Sequence, residues 1–304
     1  MGRHIYWSRL ALGFALVLSV RDAVSQQRVD ERWPLAAGGS VRIVNPFGRV
    51  RVVGWDAESL SVSGWLERGV GGFSAAGDAR VRKLLVAPSG AAREAGRAEL
   101  EVHVPRRASV WVKSATADIA VEGVDGVLDL NSVAGAIHVV GTPADVTAET
   151  MDGGVEIAGG TGRARVKTVS GGILLRGASE DLGASTLSGT IVVRAAGWQR
   201  GGTGVQRGKF ESVTGDIHFD GELGRGGVVE LESQSGTIDV RVPASTVADF
   251  DVLTVGGTIT NRLTAATPLG RAAGVGQELR FATGPGGAQV TVRSFKGPIL
   301  LAPK

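Results

Sequence analysis

SVAGAIHVVG, at residues 132–141, recurs as TMDGGVEIAG at 150–159, as TVSGGILLRG at 168–177 and as TLSGTIVVRA at 186–195. Each copy begins 18 residues after the previous one, and the fourth residue of each copy is glycine. A fixed short period of this kind indicates stacked copies of one structural unit. Because such stacks grow by adding units, the chain of 304 residues is compatible with a single elongated domain.

The glycine marks a column that extends beyond the regular stretch. Its later intervals are 26, 21, 21 and 40 residues, as expected if loops were inserted into a coil of constant cross-section. We therefore expect loops at 197–208 and 264–287. The members of the column are Ala117, Gly135, Gly153, Gly171, Gly189, Gly215, Gly236, Gly257 and Gly297.

The residues around the glycine predict the strands. Ile or Val lies two residues after it and another apolar residue usually lies four after it, so a strand with one buried face follows each glycine. Apolar residues also lie two and five residues before it. We interpret both positions as inward, with a change of phase near the corner. Position −2 holds Val133, Met151, Val169, Leu187, Val213 and Val255, and position −5 holds Leu130, Ala148, Val166, Ala184, Phe210, Leu231 and Val252. Each unit, called a rung below, should contain two short strands and two turns.

A hydroxyl residue precedes the column residue by three positions, as in Ser132, Thr150 and Thr168. Such an array would suit an exposed ice-binding or glycan-binding face. We prefer a structural role, because Ser and Thr at a corner can bond a nearby backbone group or the hydroxyl one rung away. The glycine itself should supply either a positive φ or a close approach between corners.

Residues 40–112 indicate a less regular opening of the same coil, with Asn45 in the hydroxyl column and Gly48 in the glycine column. Residues 69–96 are small, charged and interrupted, so we expect a mobile excursion between long strands. Glycine accounts for 47 residues and aromatic residues for only 5%, which is typical of a turn-dense all-β chain. We expect four tryptophans to cap or fill the first rungs: Trp33, Trp55, Trp65 and Trp111.

The first 25 residues have the features of a secretory leader. Arg3 and Arg9 precede an apolar run at 10–20, and AVS at 23–25 offers the small residues that a signal peptidase reads. The run is shorter than a typical membrane span. We expect cleavage after residue 25 and an extracytoplasmic location, which would be periplasmic, secreted or cell-surface. The alternative is an uncleaved N-terminal anchor.

Charge and cysteine content limit the partners. Residues 1–25 contain three Arg and one Asp, which leaves 30 basic and 29 acidic residues in the exported chain. This balance argues against a nucleic-acid partner. The chain has no cysteine, so it forms no disulfide and carries no lipid-modified cysteine. We predict no metal, no cofactor and no stable membrane insertion once the leader is removed.

Three sequence features carry a family resemblance. VRIVNPFGRVRVVGWD at 41–56, the Val-Pro pairs at 104–105 and 242–243, and the serial S-x-x-G-x-I-x-V units resemble the bacterial putative-adhesin family of β-strand-repeat proteins, a domain of unknown function. The resemblance covers about residues 40–301. It implies a right-handed parallel β-helix, and right-handed crossovers are also the rule for parallel strands. It implies no catalytic signature.

These observations predict an all-β, single-chain parallel β-helix or solenoid with about 18 to 21 residues per rung. The leader at 1–25 would precede one domain at 26–304. Within that domain we expect irregular rungs at 40–112, regular rungs at 113–262 and a C-terminal rung at 286–304.

One acidic surface is a candidate for chemistry. Alternation in the segment DIHFD points Asp216, His218 and Asp220 outward, and Asp239 occupies the position of His218 one rung on. Asp216 and Asp239 would lie on the order of 8 Å apart, within the separation of the two carboxyl groups in inverting glycosidases. The more ordinary interpretation is a solvated face with an ion pair between Asp220 and Arg241.

We expect a non-catalytic protein of surface adhesion, scaffolding or glycan interaction, with a cell-surface polysaccharide or protein as its partner. The alternative is a carbohydrate-active enzyme, a polysaccharide hydrolase or lyase, that uses the acidic surface. The loop at 197–208 is a second binding candidate, because inserted loops can carry residues that repeating columns cannot. The candidate contacts are Trp198, Arg200 and Arg207 in the loop and Asp216, His218 and Asp239 on the acidic surface.

Overall fold

A computed structural model describes residues 26–88, 96–177, 179–195, 204–270 and 276–304. The leader predicted at 1–25 lies outside the described residues. Within the described ranges the chain forms 27 strands and no helix, so these ranges contain no helical segment able to cross a membrane.

The strands form two large sheets. Sheet A has thirteen strands, in the spatial order β1 (Gln27–Pro34), β4 (Ser59–Leu66), β7 (Ala98–Pro105), β3 (Gly48–Trp55), β9 (Asp118–Glu122), β11 (Ile137–Gly141), β13 (Val155–Gly159), β15 (Ile173–Arg176), β17 (Ile191–Ala195), β19 (Ile217–Gly221), β21 (Ile238–Val242), β27 (Ile299–Pro303) and β23 (Ile259–Asn261). Sheet B has fourteen strands, in the order β24 (Leu269–Gly270), β25 (Gln277–Ala282), β22 (Ala248–Thr254), β26 (Ala288–Ser294), β20 (Leu223–Ser233), β18 (Val205–Ser212), β16 (Ser179–Thr186), β14 (Thr161–Lys167), β12 (Asp145–Glu149), β10 (Val127–Asn131), β8 (Ser109–Lys113), β2 (Ser40–Val44), β6 (Val81–Pro88) and β5 (Val70–Gly77).

From β8 to β21 the chain alternates between the two sheets. From β10 on, each of these strands pairs in parallel with the strand two positions earlier in the chain. Ile137 in β11, for example, lies between Ile119 in β9 and Val155 in β13. The predicted 18-residue register is therefore confirmed, and one rung consists of a strand in sheet B followed by a strand in sheet A.

The apolar core lies where the inward columns of the two sheets meet. Positions +2 and −5 are buried as predicted, including Ile137 and Leu130 at 1% and 0% exposure. The rings of Phe210 in sheet B and Phe219 in sheet A approach with their centroids 5.8 Å apart. Side chains from both sheets thus fill one continuous core along the stack.

Position −2 is not part of this core, which corrects the sequence interpretation. Val133, Met151 and Leu187 are 47%, 52% and 50% exposed. The hydroxyl residue at −3 already faces inward, so the next residue of an extended chain faces outward. We call this exposed column the corner stripe, and in spatial order it holds Ala115, Val133, Met151, Val169, Leu187, Val213, Gln234, Phe295 and Val255.

The hydroxyl column has the structural role that we preferred. The hydroxyl of Thr150 is buried and accepts the backbone N–H of Gly153 at 3.1 Å, and Ser132 accepts that of Gly135 at 2.9 Å. The hydroxyl of Thr168 also donates to that of Thr186 on the next rung, at 2.9 Å. These bonds satisfy backbone groups that the corner would otherwise leave unpaired.

Close approach between rungs accounts for the glycine column. A Cβ on Gly153 would collide with the backbone carbonyl of Gly135, which lies on the preceding rung. A second glycine column, which the sequence analysis missed, lies at the ends of sheet A strands: Gly141 and Gly159 are the last residues of β11 and β13, and Gly177 directly follows β15. Gly159 has a φ of 128°, a region that favours glycine, at the point where the chain leaves sheet A for sheet B.

The ends of the stack depart from chain order. The C-terminal rung, formed by β26 and β27, lies between the rung of β20 and β21 and the rung of β22 and β23. At the other end of the stack, the rung of β2 and β3 lies between the rung of β8 and β9 and the rung of β6 and β7. Our interpretation of the column as sequential to Gly297 is therefore wrong, because the spatial order is Gly236, Gly297, Gly257.

Antiparallel strands lie at the N-terminal end of both sheets and at the C-terminal end of sheet B, and they replace predicted irregular segments. The excursion predicted at 69–96 contains β5 and β6, which pair with each other. The loop predicted at 264–287 contains β25, which pairs with β22. The loop predicted at 197–208 ends sooner, since β18 begins at Val205. Added strands of this kind cover edges that would otherwise be open to pairing with another chain.

Candidate functional site

The acidic surface lies on the outer side of sheet A, where β19 and β21 are neighbours. His218 lies beside Asp239 in the register of these strands, and its Nδ1 is 3.9 Å from Oδ2 of Asp239. Asp216, directly before β19, accepts the backbone N–H of Thr237 on the next rung at 2.7 Å. The structure thus brings the three predicted residues together on two adjacent rungs.

Asp239 is held by Arg241 on its own strand. The Nε of Arg241 donates to both carboxylate oxygens at 3.3 and 3.2 Å, and Nη2 donates to Oδ2 at 3.1 Å. These hydrogen bonds and the charge of Asp239 raise the pKa of Arg241. The prediction of an ion pair between Asp220 and Arg241 is wrong. Asp220 lies instead 3.0 Å from Nζ of Lys304.

Both candidate carboxylates therefore have partners within the fold. Asp216 caps the backbone of the next rung, and Asp239, whose side chain is only 13% exposed, receives a guanidinium. A general acid or base must reach a proton on its substrate. The contacts on this surface are those of a charged sheet face whose groups stabilise one another.

The loop candidates separate into two groups. Trp198 and Arg200 lie in 196–203, outside the described residues. Arg207 lies in β18 rather than in a loop, directly opposite Asp181 in β16. Its Nε is 3.2 Å from Oδ2 of Asp181, so this arginine is part of the sheet surface.

Asp181 is the centre of an arginine cluster that sequence reasoning missed. Its carboxylate is 3.2 Å or less from Arg165 and Arg207 and 3.6 Å from Arg163, and its side chain is only 7% exposed. Burial alone would raise the pKa of Asp181, but hydrogen bonds from Arg165 and Arg207 outweigh it and hold the pKa below its usual range. The sequence signal for this cluster was the alternation of Asp and Arg at one position of successive rungs. It becomes visible when the rungs are aligned on the glycine column.

Exposed aromatic rings lie at the N-terminal end of sheet A, on its outer side. Trp65 in β4 is 48% exposed, and the guanidinium carbon of Arg28 is 5.7 Å from its ring centroid. Trp55 in β3 packs against His103 with ring centroids 5.1 Å apart. Trp33 is partly buried against the core, as expected of a residue that fills the first rungs. Trp55, Trp65 and Trp111 occupy outward positions, so the prediction that the tryptophans fill these rungs is wrong for these three.

Small polar residues surround Trp65. Ser61 and Ser63 precede it on the outward side of β4, and Glu99 lies opposite it in β7. We call the surface formed by Arg28, Ser61, Ser63, Trp65 and Glu99 the tryptophan face. Its sequence signal is the alternation in SLSVSGWL at 59–66, which places the serines and Trp65 on one side of a strand.

The described residues contain no group of three His, Cys, Asp or Glu side chains arranged to hold a metal ion. The binding chemistry of the tryptophan face, the arginine cluster and the acidic surface therefore depends on their side chains alone. Of the three, the tryptophan face combines an exposed ring with neighbouring hydroxyl and carboxylate groups.

Comparison with known proteins gives similarity only to solved structures. No family model matches the chain, and no curated protein matches it. A putative adhesin from Parabacteroides distasonis has 12% identity and a TM-score of 0.45, with 90% of this chain and 97% of that chain covered. A putative adhesin from Bacteroides fragilis has 12% identity and a TM-score of 0.42, with 91% and 98% covered. A putative lipid binding protein from Parabacteroides distasonis has 11% identity and a TM-score of 0.42, with 90% and 96% covered. Similarity at this level assigns neither a family nor a function to the chain.

Proposed function

We propose that the chain is an exported, right-handed parallel β-solenoid that serves as a non-catalytic surface-adhesion or scaffold protein and binds a cell-surface polysaccharide. Residues 26–304 would form one domain after removal of 1–25. Outward side chains of adjacent rungs lie about 4.8 Å apart, so a repetitive polymer can make similar contacts along the stack. Weak contacts of this kind add up to useful avidity.

The tryptophan face carries the proposal. The exposed indole of Trp65 offers a flat apolar surface against which the C–H face of a sugar ring can pack, with a polar edge beside it. The hydroxyl of Ser63 and the carboxylate of Glu99 can bond sugar hydroxyls, the first as donor or acceptor and the second as acceptor. Binding sites commonly combine an aromatic surface with a few polar groups that orient the ligand.

The acidic surface supports the non-catalytic part of the proposal. A glycosidase needs one carboxyl group to protonate the leaving oxygen and a second to activate water or attack the sugar. Asp216 and Asp239 instead accept hydrogen bonds from Thr237 and Arg241. No contact among the described residues favours the hydrolase or lyase alternative.

The test is a glycan array probed with residues 26–304, followed by affinity measurements on the polysaccharide that is captured. Trp65→Ala is compared with Trp111→Ala, a matched control on the outer side of sheet B. We expect Trp65→Ala to weaken binding by about tenfold or more, as for an aromatic residue at the centre of a contact. Trp111→Ala should change the affinity less than about twofold.

The proposal would be overturned by the absence of glycan binding or by equal effects of the two substitutions. Shortening of the captured polysaccharide during incubation would overturn the non-catalytic role. Reducing-end assays on the same samples separate binding from cleavage.

A further inference from the structure

The corner stripe is a mainly apolar column whose members are joined by backbone hydrogen bonds between adjacent rungs. The backbone N–H of Val133 donates to the carbonyl of Ala115, that of Met151 to Val133, that of Val169 to Met151 and that of Leu187 to Val169. The side chains of consecutive members therefore lie about 4.8 Å apart. Apart from Gln234, every position from Ala115 to Val255 is apolar.

A groove runs along the stripe. One wall is formed by members of the stripe from Val133 to Val255, without Leu187, and the other by the last outward residues of the sheet B strands. Two shallow, open depressions of about 490 and 570 Å³ form the groove, and Ser185 lines both of them. The groove passes Met151 near one end and Phe295 near the other.

The floor of the groove makes its own hydrogen bonds. The buried hydroxyls of Thr150 and Thr186 accept backbone N–H groups at the corner. The carbonyl of Val169 accepts the N–H groups of Leu187 and Ser188. A peptide lying in the groove would need partners for its own backbone groups, and this floor has few to provide. A hydrocarbon chain needs none.

The charges that line the groove balance. Three are cationic and three are anionic: Lys113, Lys167, Arg293, Glu149, Glu211 and Glu232. Lys167 lies 3.7 Å from Glu149, and Arg293 is held by Asp251. The groove therefore has no excess charge that would select a charged polymer.

The dimensions favour a narrow ligand over a second copy of the chain. Nine rungs at about 4.8 Å give a stripe about 38 Å long and one side chain wide. Contact along it covers about 200 to 300 Å² on each partner, whereas a stable protein interface buries about 800 Å² on each side. A single acyl chain matches the width of the stripe and, at the lengths of common fatty acids, spans part of its length.

We propose that the groove binds the acyl chain of a single-chain amphiphile, extended parallel to the stack. This site lies on a different surface from the tryptophan face and does not depend on polysaccharide binding. Val133, Met151 and Val169 would cover one side of the chain, and the alkyl stem of Lys167 would contribute to the other.

The test uses titration calorimetry of residues 26–304 with saturated fatty acids of 10 to 18 carbons, below their micelle concentrations. Met151→Gln combined with Val169→Gln is the test variant, since both residues line the groove. The chain itself places Gln234 in this column, so glutamine is compatible with the corner. Val127→Gln combined with Val140→Gln is the matched control, since both valines are exposed but lie outside the groove.

We expect affinity to rise about two- to fourfold for each added methylene, as burial of hydrocarbon requires. The test variant should bind at least about tenfold more weakly, and the control variant should match the wild type. No fatty-acid binding, or equal binding by all three proteins, would overturn the proposal. The proposal would also be overturned if the wild type were a dimer and the test variant a monomer, because a second copy of the chain would then cover the stripe.

Discussion

Ile299, near the C-terminus, lies beside Ile238 in sheet A, and Ile259 lies on the far side of Ile299. The last rung of the chain is therefore an internal rung of the stack. Its strands complete the pairing of the rungs before and after it. This placement makes the C-terminal segment part of the core rather than a terminal cap.

Removing residues 286–304 should consequently unfold much of the C-terminal part. The deletion takes away four Val, Ile and Leu side chains that are at most 2% exposed: Val290, Val292, Ile299 and Leu301. Burial of each contributes about 1.5 to 3 kcal/mol, so the loss is comparable with the whole stability of a typical domain, about 5 to 15 kcal/mol. Far-UV circular dichroism and thermal melting would show the effect. A truncated chain that melts like the full-length chain would contradict the inserted position of this rung.

Deleting one internal rung should be tolerated much better. Removal of 154–171 joins Gly153 to Gly172, and the following strand retains its position relative to the glycine column. The stack should remain folded and become slightly less stable. Removal of only nine residues, 154–162, should disrupt folding, because half a rung places corner residues against strands. Equal damage in thermal melts of the two variants would argue against the register.

Gly153→Ala should destabilise the protein by about 2 to 4 kcal/mol, since the new methyl group would meet the backbone carbonyl of Gly135. Gly154→Ala is the matched control, because the nearest atom to its new Cβ would be 3.6 Å away. The control should remain within about 0.5 kcal/mol of wild type. Urea unfolding monitored by tryptophan fluorescence measures both. Similar midpoints for the two variants would show that close approach between rungs does not explain the glycine column.

Asp181→Asn should lower stability at pH 7 and have less effect in acid. The pKa of Asp181 lies below its ordinary value in the folded state. Its stabilising contribution is complete above the ordinary pKa of about 3.9 and declines as pH falls from there toward the folded-state pKa. The difference in unfolding free energy between wild type and variant should therefore shrink below about pH 4. Asp249→Asn, at an exposed position, is the control. A wild-type advantage that stays constant between pH 7 and pH 3 would contradict this account of the cluster.

The rung period also predicted part of the candidate surfaces. Adding the interval between rungs was enough to place His218 beside Asp239, because parallel strands in register align equivalent residues. It could not show that Arg241 engages Asp239 rather than Asp220, since that depends on side-chain conformations at the surface. We placed the corner stripe in the core because we extended the alternation of the following strand back through the corner. The period alone does not describe the conformation of that corner.

Local pattern in the sequence determined the rung: its length, its buried positions, its hydroxyl corner and its glycine column. Each of these depends on residues close together in the chain, so alternation and period are sufficient to reveal them. Only the tertiary structure decided the order of rungs at the two ends. Every rung has a similar cross-section, so the period does not indicate which neighbours a terminal rung will have. The insertion of β26 and β27 before β22 and β23 depends on which free edges pair across long distances in the chain, and no local pattern records that choice.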